Sequence, residues 1–293
     1  MIKEIRAKSA LHYHDRTFAT NWDVNVYRGC GHGCVYCFAR YSHRYLGDAD
    51  FFDDIYVKTN IAENLDREFS RRSWTKEPVN VGGVTDAYQP AEKKYCLMPD
   101  VIRVFIKYRN PLVIVTKSVL PLRDIALIGE LAKLAEVAVL VSVSTLNEQI
   151  RKVTEPGSAP ASDRINMLTA FSEAGCRTGV LIMPIIPYLT DTEENLRGIF
   201  ELARINKVNM VEPGTLHLRG SNREPFMKMV RSCFPDLYPV ISNLYATANA
   251  DESYKCTLRP LIRRLKSEYG PFAEYTAPEP AVKIVQEQQL RLF

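Results

Sequence analysis

From Val79 onward the chain repeats one pattern: a short run of branched apolar residues, a turn, then a stretch with apolar residues on one helical face. Val79–Val84, Leu112–Thr116, Val137–Val143 and Thr178–Met183 read as strands, and Val208–Val211 begins another that continues toward Leu218. Between them Val101–Tyr108, the stretch carrying Leu122, Ile125, Ile128, Leu131 and Leu134, Asp163–Ala174, and Glu193–Ile205 read as helices. Strands without polar alternation are buried on both faces, which implies a parallel sheet covered by helices. Asp23–Tyr27 supplies a first strand and makes six units. No Gly-x-Gly-x-x-Gly follows a strand, so the expected α/β architecture is a partial (β/α)6 TIM-like barrel over residues 23–219 and not a doubly wound sheet.

The flanks read differently. Residues 1–22 form an N-terminal arm, and Phe38–Leu46 a short helix. Asn60 and Glu63 make a capping-box pattern before Ile61, Leu65 and Phe69, predicting a helix to about Ser73. From Gly220 the alternation stops: residues 220–276 are a helical, basic extension with a helix at Pro260–Tyr269, and residues 277–293 a flexible tail that opens with the Pro-rich Ala277–Pro280.

Three cysteines, Cys30, Cys34 and Cys37, sit in one loop at C-x3-C-x2-C spacing, loosened by Gly29, Gly31 and Gly33. Thiolates select iron–sulfur clusters, zinc or Cu(I). A cubane cluster ordinarily takes four thiolates, so a compact set of three leaves one iron open. Zinc, with His32 or His43 as fourth ligand, is the alternative, although no second C-x2-C pair is present. The other four of the seven cysteines are scattered, which argues for reduced thiols and a cytoplasmic setting. No apolar run approaches the roughly 20 residues of a membrane span, and the first residues lack the apolar core of a signal peptide. A net charge of +4 permits a polyanionic partner without requiring one.

The cysteine loop resembles the signature of the radical SAM superfamily. That resemblance implies a [4Fe–4S] cluster whose open iron chelates S-adenosylmethionine (SAM), a low-potential electron donor, release of a 5′-deoxyadenosyl radical, and a site at the C-terminal ends of the strands. Arg28-Gly29-Cys30, Cys34-Val35-Tyr36-Cys37-Phe38-Ala39-Arg40, Thr85-Asp86-Ala87-Tyr88-Gln89-Pro90-Ala91-Glu92, Val115-Thr116-Lys117 and Glu155-Pro156-Gly157 further resemble the spore photoproduct lyase-like family over roughly residues 8–218. The narrower resemblance implies radical chemistry on damaged DNA. Expected cofactor contacts are Tyr36, Gly82, Gly83, Thr85, Lys117, Ser142 and Ser144, with Val84 standing where many relatives carry an acid. The hydrogen-donating cysteine of such lyases aligns with the thiol-free Gly82-Gly83-Val84 turn, and Phe38 stands in place of a relay tyrosine, so Cys96 is the candidate replacement donor.

Lys255, Arg259, Arg263, Arg264 and Lys266 form a basic run opposite the apolar Leu258, Leu261, Ile262 and Leu265, a candidate phosphate-contacting face. The last residues match the Gln-Leu-x-Leu-Phe peptide that binds the bacterial sliding clamp, with Gln289 as polar anchor and Leu290, Leu292 and Phe293 as apolar plugs. The expected function is therefore a DNA-repair radical SAM enzyme. A radical SAM enzyme modifying RNA or a peptide is the first rival, and a non-enzymatic, metal-stabilised binding module the second.

Overall fold

The structure, a computed structural model, describes residues 1–14, 20–43, 46–47 and 49–280. Its strands are β1 (Ile2–Ile5), β2 (Leu11–Tyr13), β3 (Trp22–Val24), β4 (Tyr27–Arg28), β5 (Ile55–Lys58), β6 (Val79–Val81), β7 (Leu112–Thr116), β8 (Val137–Ser142), β9 (Arg177–Ile185) and β10 (Met210–Thr215). Its helices are α1 (Ile61–Phe69), α2 (Glu92–Tyr95), α3 (Met98–Tyr108), α4 (Ile125–Ala132), α5 (Glu148–Thr154), α6 (Ala161–Asn166), α7 (Leu168–Glu173), α8 (Glu193–Ile205), α9 (Arg223–Cys233), α10 (Tyr238–Leu244) and α11 (Glu252–Tyr269).

The six strands β3, β6, β7, β8, β9 and β10 pair in parallel in that order, and β2 adds an antiparallel edge beyond β3. Among the described residues β10 and β2 do not pair, so the architecture is the open (β/α)6 barrel expected. The register explains why the strands lack alternation. Val24, Val81, Ile114 and Val139 share one row and join Leu65, Phe105, Ile128 and Phe171 of the helices in the main core. Asp23, Asn80, Val113 and Ala138 share the neighbouring row. Val113 and Ala138 pack with Leu140, Leu181 and Met210 in a second, inner cluster, against which Tyr275 lies. Each fully buried Val, Leu or Phe contributes about 1.5–3 kcal/mol.

The N-terminal segment is more than an arm. β1 pairs with β5, and β5 with β4, in a separate three-stranded sheet that leads into the cysteine loop. This sheet also overrides the capping box. Asn60 makes no side-chain cap; it accepts from the Ala7 N–H (2.7 Å) and donates to the Ala7 carbonyl (2.9 Å), satisfying two backbone groups.

The expected Phe38–Leu46 helix is a 3-10 turn over Phe38–His43, and the Asp163–Ala174 helix is two, α6 and α7. α11 begins at Glu252, ahead of the predicted start, with Pro260 inside it; Asp251 caps it by accepting from the Ser253 N–H at 2.8 Å. α9 and α10, absent from the sequence reading, build a further core of Phe226, Val230, Ile241 and Tyr245 against Cys34 and Tyr36. The motif at Gln289–Phe293 lies outside the described residues.

Candidate active site

The cysteine loop is held by the very segments that carried the sequence resemblance. Thr85 Oγ1 donates to the Gly29 carbonyl (2.5 Å), and Gln89 Nε2 donates to the same oxygen (3.0 Å). Gln89 Oε1 accepts from the Gly31 N–H (2.9 Å). Asp86 binds His32 Nε2 (2.9 Å) and accepts from Thr116 Oγ1 (2.9 Å), Lys117 N–H (2.7 Å) and Tyr88 N–H (2.8 Å). Burial alone would raise the Asp86 carboxyl; His32 and the two N–H donors overcome it and hold it below its ordinary range. From the other side Gly157 N–H donates to the His32 carbonyl (2.8 Å), and Val35 N–H to the Thr154 carbonyl (3.0 Å). A Cβ on Gly157 would stand 2.5 Å from the Gly31 carbonyl oxygen, so only glycine allows this approach.

Above the strand ends lies a cavity of about 210 Å3, lined by Cys30, Cys34, Cys37, Phe38, Gly82, Gly83, Thr85, Val115, Lys117 and Ser142 among others. Three strand ends and the loop thus bring together the three cysteines and five of the seven expected cofactor contacts. The Gly82–Gly83 turn lies close over β3: a Cβ on Gly83 would fall 1.7 Å from Asp23 Oδ2. Lys117 is anchored, not solvated. Its Nζ donates to Ser142 Oγ (2.7 Å) and to Glu155 Oε1 (3.0 Å), and Ser142 Oγ donates onward to the Met183 carbonyl (2.6 Å). An ammonium has three N–H groups, so one remains for an anion in the cavity.

Glu155 is the buried hub that sequence reasoning missed as a site residue. It accepts from Lys117, from Tyr36 Oη, from Ser158 Oγ (3.2 Å) and from Arg164 Nη2 (3.1 Å). Burial pushes its carboxyl up, but Lys117, Arg164 and the Tyr36 hydroxyl prevail and bring it down to about 2. The signal available was the quoted Glu155-Pro156-Gly157; nothing in the sequence near it points to Arg164 or Lys117.

Two expected cofactor contacts, Tyr36 and Ser144, do not line the cavity. Tyr36 is buried with its hydroxyl on Glu155, and Ser144 donates to the Pro184 carbonyl (2.7 Å). Cys96 does not line the cavity either. It ends α2, exposed, and accepts from Arg123 Nη1 at 3.4 Å; buried Glu92 anchors that helix to Arg123 and Tyr27. The donor role therefore has no support from geometry. In α11, Arg264 and Lys266 are drawn to Glu193 (2.6 Å) and Glu212 (3.3 Å), and Lys255 and Arg259 share Glu252 (3.4 and 2.5 Å).

The donor set suits a cluster. Among the described residues no three Cys, His, Asp or Glu side chains converge on a single-ion site. His32 is engaged at both nitrogens, Nδ1 with the Gly157 carbonyl at 2.9 Å, and His43 Nε2 lies 3.0 Å from the Asp54 carbonyl. Three thiols around one cavity, without an imidazole free to join them, fit the corners of a polynuclear group better than one zinc. Burial pushes the Cys30 thiol up to about 12 and raises Cys34 and Cys37 too, while Lys117 acts in the opposite sense on the latter two. Metal binding in this pocket therefore releases protons.

Comparisons with known proteins agree. The chain is 37% identical over 284 residues, 94% of its length and 83% of the relative's, to an uncharacterised protein of Mycobacterium bovis. It is 29% identical over 220 residues to one of Methanocaldococcus jannaschii, covering 75% of this chain and 79% of the other. Among solved structures, a spore photoproduct lyase variant with bound AdoMet and dinucleoside spore photoproduct shares the fold: TM-score 0.65, 15% identity, 92% of this chain and 80% of that one. Streptococcus suis SuiB bound to precursor peptide SuiA superposes with TM-score 0.52 at 14% identity, over 84% of this chain and 46% of SuiB. The Radical SAM superfamily description matches residues 24–202, and with the cysteine loop and cavity above it establishes that this chain belongs to the radical SAM superfamily, whose cofactors are a [4Fe–4S] cluster and SAM.

Proposed function

We propose that this radical SAM enzyme acts on damaged DNA, as a photoproduct-lyase-like repair enzyme. The observation that carries the reading is the convergence of Thr85, Asp86, Gln89, Lys117 and Glu155–Gly157, all from the lyase-like motifs, on one cysteine loop and its cavity. A solved lyase of the same fold holds a dinucleoside photoproduct, which supports a nucleic-acid substrate. A sliding-clamp partner through Gln289–Phe293 belongs to the same reading.

With SAM bound, the cluster supplies one-electron cleavage of the sulfonium and a 5′-deoxyadenosyl radical. The protein's own part is binding and orientation. Cys30, Cys34 and Cys37 would hold the cluster, and the Gly82–Gly83 turn, which lines the same cavity, would offer backbone to the methionine amino group. Lys117, fixed by Glu155 and Ser142, would offer its remaining N–H to the carboxylate of SAM. Lys117→Ala is expected to weaken SAM binding by about 2 kcal/mol while the iron stays bound, as calorimetry and iron analysis will read; unchanged affinity removes Lys117 from the cofactor site.

The reading is tested by anaerobic incubation with SAM, reductant and UV-irradiated DNA, with products followed by mass spectrometry. Restored thymines are expected. SAM cleavage with every DNA lesion left intact, alongside modification of an RNA or a peptide, overturns the repair assignment and leaves the radical chemistry standing.

A further inference from the structure

A rim of aromatic and cationic side chains leads away from the cavity. Phe38 lines the cavity and is 51% exposed, and Tyr41, three residues on, is 42% exposed. In a 3-10 turn, residues at i and i+3 eclipse, so both rings share one side. Such exposure of two aromatic rings, one of them lining the cavity, is not required by packing: the buried face of the same turn is supplied by Ala39 and His43.

This turn packs against the turn Gly220–Asn222, preceded by exposed Arg219. Asn222 Nδ2 ties the second turn to the cysteine loop just ahead of the first by donating to the Tyr36 carbonyl (2.9 Å). From there the rim continues: Leu218 N–H donates to the Ala248 carbonyl (2.8 Å), and Arg223 to the Thr247 carbonyl (3.0 Å), immediately before α11. On α11, Lys255, Arg259 and Arg263 recur every fourth residue and so form one stripe. They line a groove of about 330 Å3 whose apolar floor is Leu258, Ile262 and Ile185, with the Pro213–Thr215 strand end opposite. Glu252 is the one acid that an ion pair brings to this stripe among the described residues, leaving it net positive.

An apolar trough with a cationic lip matches a sugar–phosphate backbone, and exposed rings beside a cavity match unstacked bases. Duplex DNA offers phosphates to such a lip but no free base faces to the rings. We propose that a single-stranded segment of nucleic acid runs along the α11 groove and stacks its bases on Phe38 and Tyr41 at the cavity mouth. The proposal rests on the reading of the substrate as nucleic acid and adds which surface takes it and in what state.

Fluorescence anisotropy of the full chain with short labelled oligonucleotides, over a range of KCl concentrations and without SAM or reductant, tests it. Single strands are expected to bind more tightly than the matched duplex. Each lost phosphate contact reduces the slope of log K against log salt by about 0.7 on single strands, so Arg259→Gln with Arg263→Gln should reduce it by about 1.4. Phe38→Ala with Tyr41→Ala should weaken binding about fivefold or more at unchanged slope, the effect of lost stacking. Circular dichroism establishes that the variants are folded. Equal binding of duplex and single strand, or variants that bind as the parent does, overturns this surface while a nucleic-acid substrate survives. Preference for an oligoribonucleotide over the matching oligodeoxynucleotide keeps the surface and overturns the DNA assignment. No binding to any oligonucleotide defeats both.

Discussion

Glu155→Gln is expected to destabilise the protein by about 3–5 kcal/mol, the cost of leaving a buried charge without its partner. Arg164 is fully buried, and its Nη2 is 3.1 Å from Glu155 Oε2. Lys117, with 15% of its side chain exposed, loses its carboxylate as well. An amide keeps the shape and one acceptor but offers no charge, and its NH2 group opposes one of the donors now facing Glu155. Urea denaturation of the parent and the variant measures the difference. The pH dependence carries the same signature. Glu155 titrates at about 2 in the fold against about 4.5 ordinarily. Its contribution is therefore complete above about 4.5 and is lost as pH falls toward about 2. That acid limb should shrink in Glu155→Gln, whose stability then runs flatter between those values. A variant as stable as the parent, with the same acid limb, means that the hub is not what holds Lys117 and the cysteine loop in register.

Cys34→Ala should abolish cluster assembly and, with it, cleavage of SAM. Two thiolates remain in that variant, and among the described residues the two histidines near the loop are engaged, His32 at both nitrogens and His43 at Nε2. The side chain lost is small and sits at the edge of the core formed with Tyr36, Leu189 and Phe226, so folding should persist. Iron content, visible absorbance and circular dichroism together separate loss of the cluster from loss of the fold. A folded Cys34→Ala protein that still holds about four irons per chain removes Cys34 from the ligand set.

What the sequence disclosed and what it withheld differ in kind. The strands β7 and β8 could be read almost residue by residue, because burial on both faces leaves an unbroken apolar run. The cysteine loop was legible because its three thiols lie within a few residues of one another. Lys117 was legible as a position, at the end of a strand, but not as a partner of Glu155, 38 residues away. The basic run of α11 looked uncompensated because two of its three acids come from other elements; Glu193 lies 71 residues from Arg264, and Glu252 stands just ahead of the run on the same helix. β1 and β5 were hidden for the same reason: each is a short strand that exists only by pairing with a distant one. Asn60 failed as a cap because two hydrogen bonds to Ala7 outweighed one to its own helix. Local chemistry is written locally, whereas the charge pairs that set a side chain's role are made by the fold.

Cys30, Cys34 and Cys37 are proposed to hold a cluster that reductively cleaves SAM beside Lys117 and the Gly82–Gly83 turn. Anaerobic reconstitution with iron and sulfide, followed by metal analysis and by chromatography of a reaction with SAM and dithionite, tests it most directly. About four irons per chain and formation of 5′-deoxyadenosine are predicted. A colourless protein carrying stoichiometric zinc that leaves SAM intact would mean that the three cysteines form a zinc site and not a radical-generating cluster.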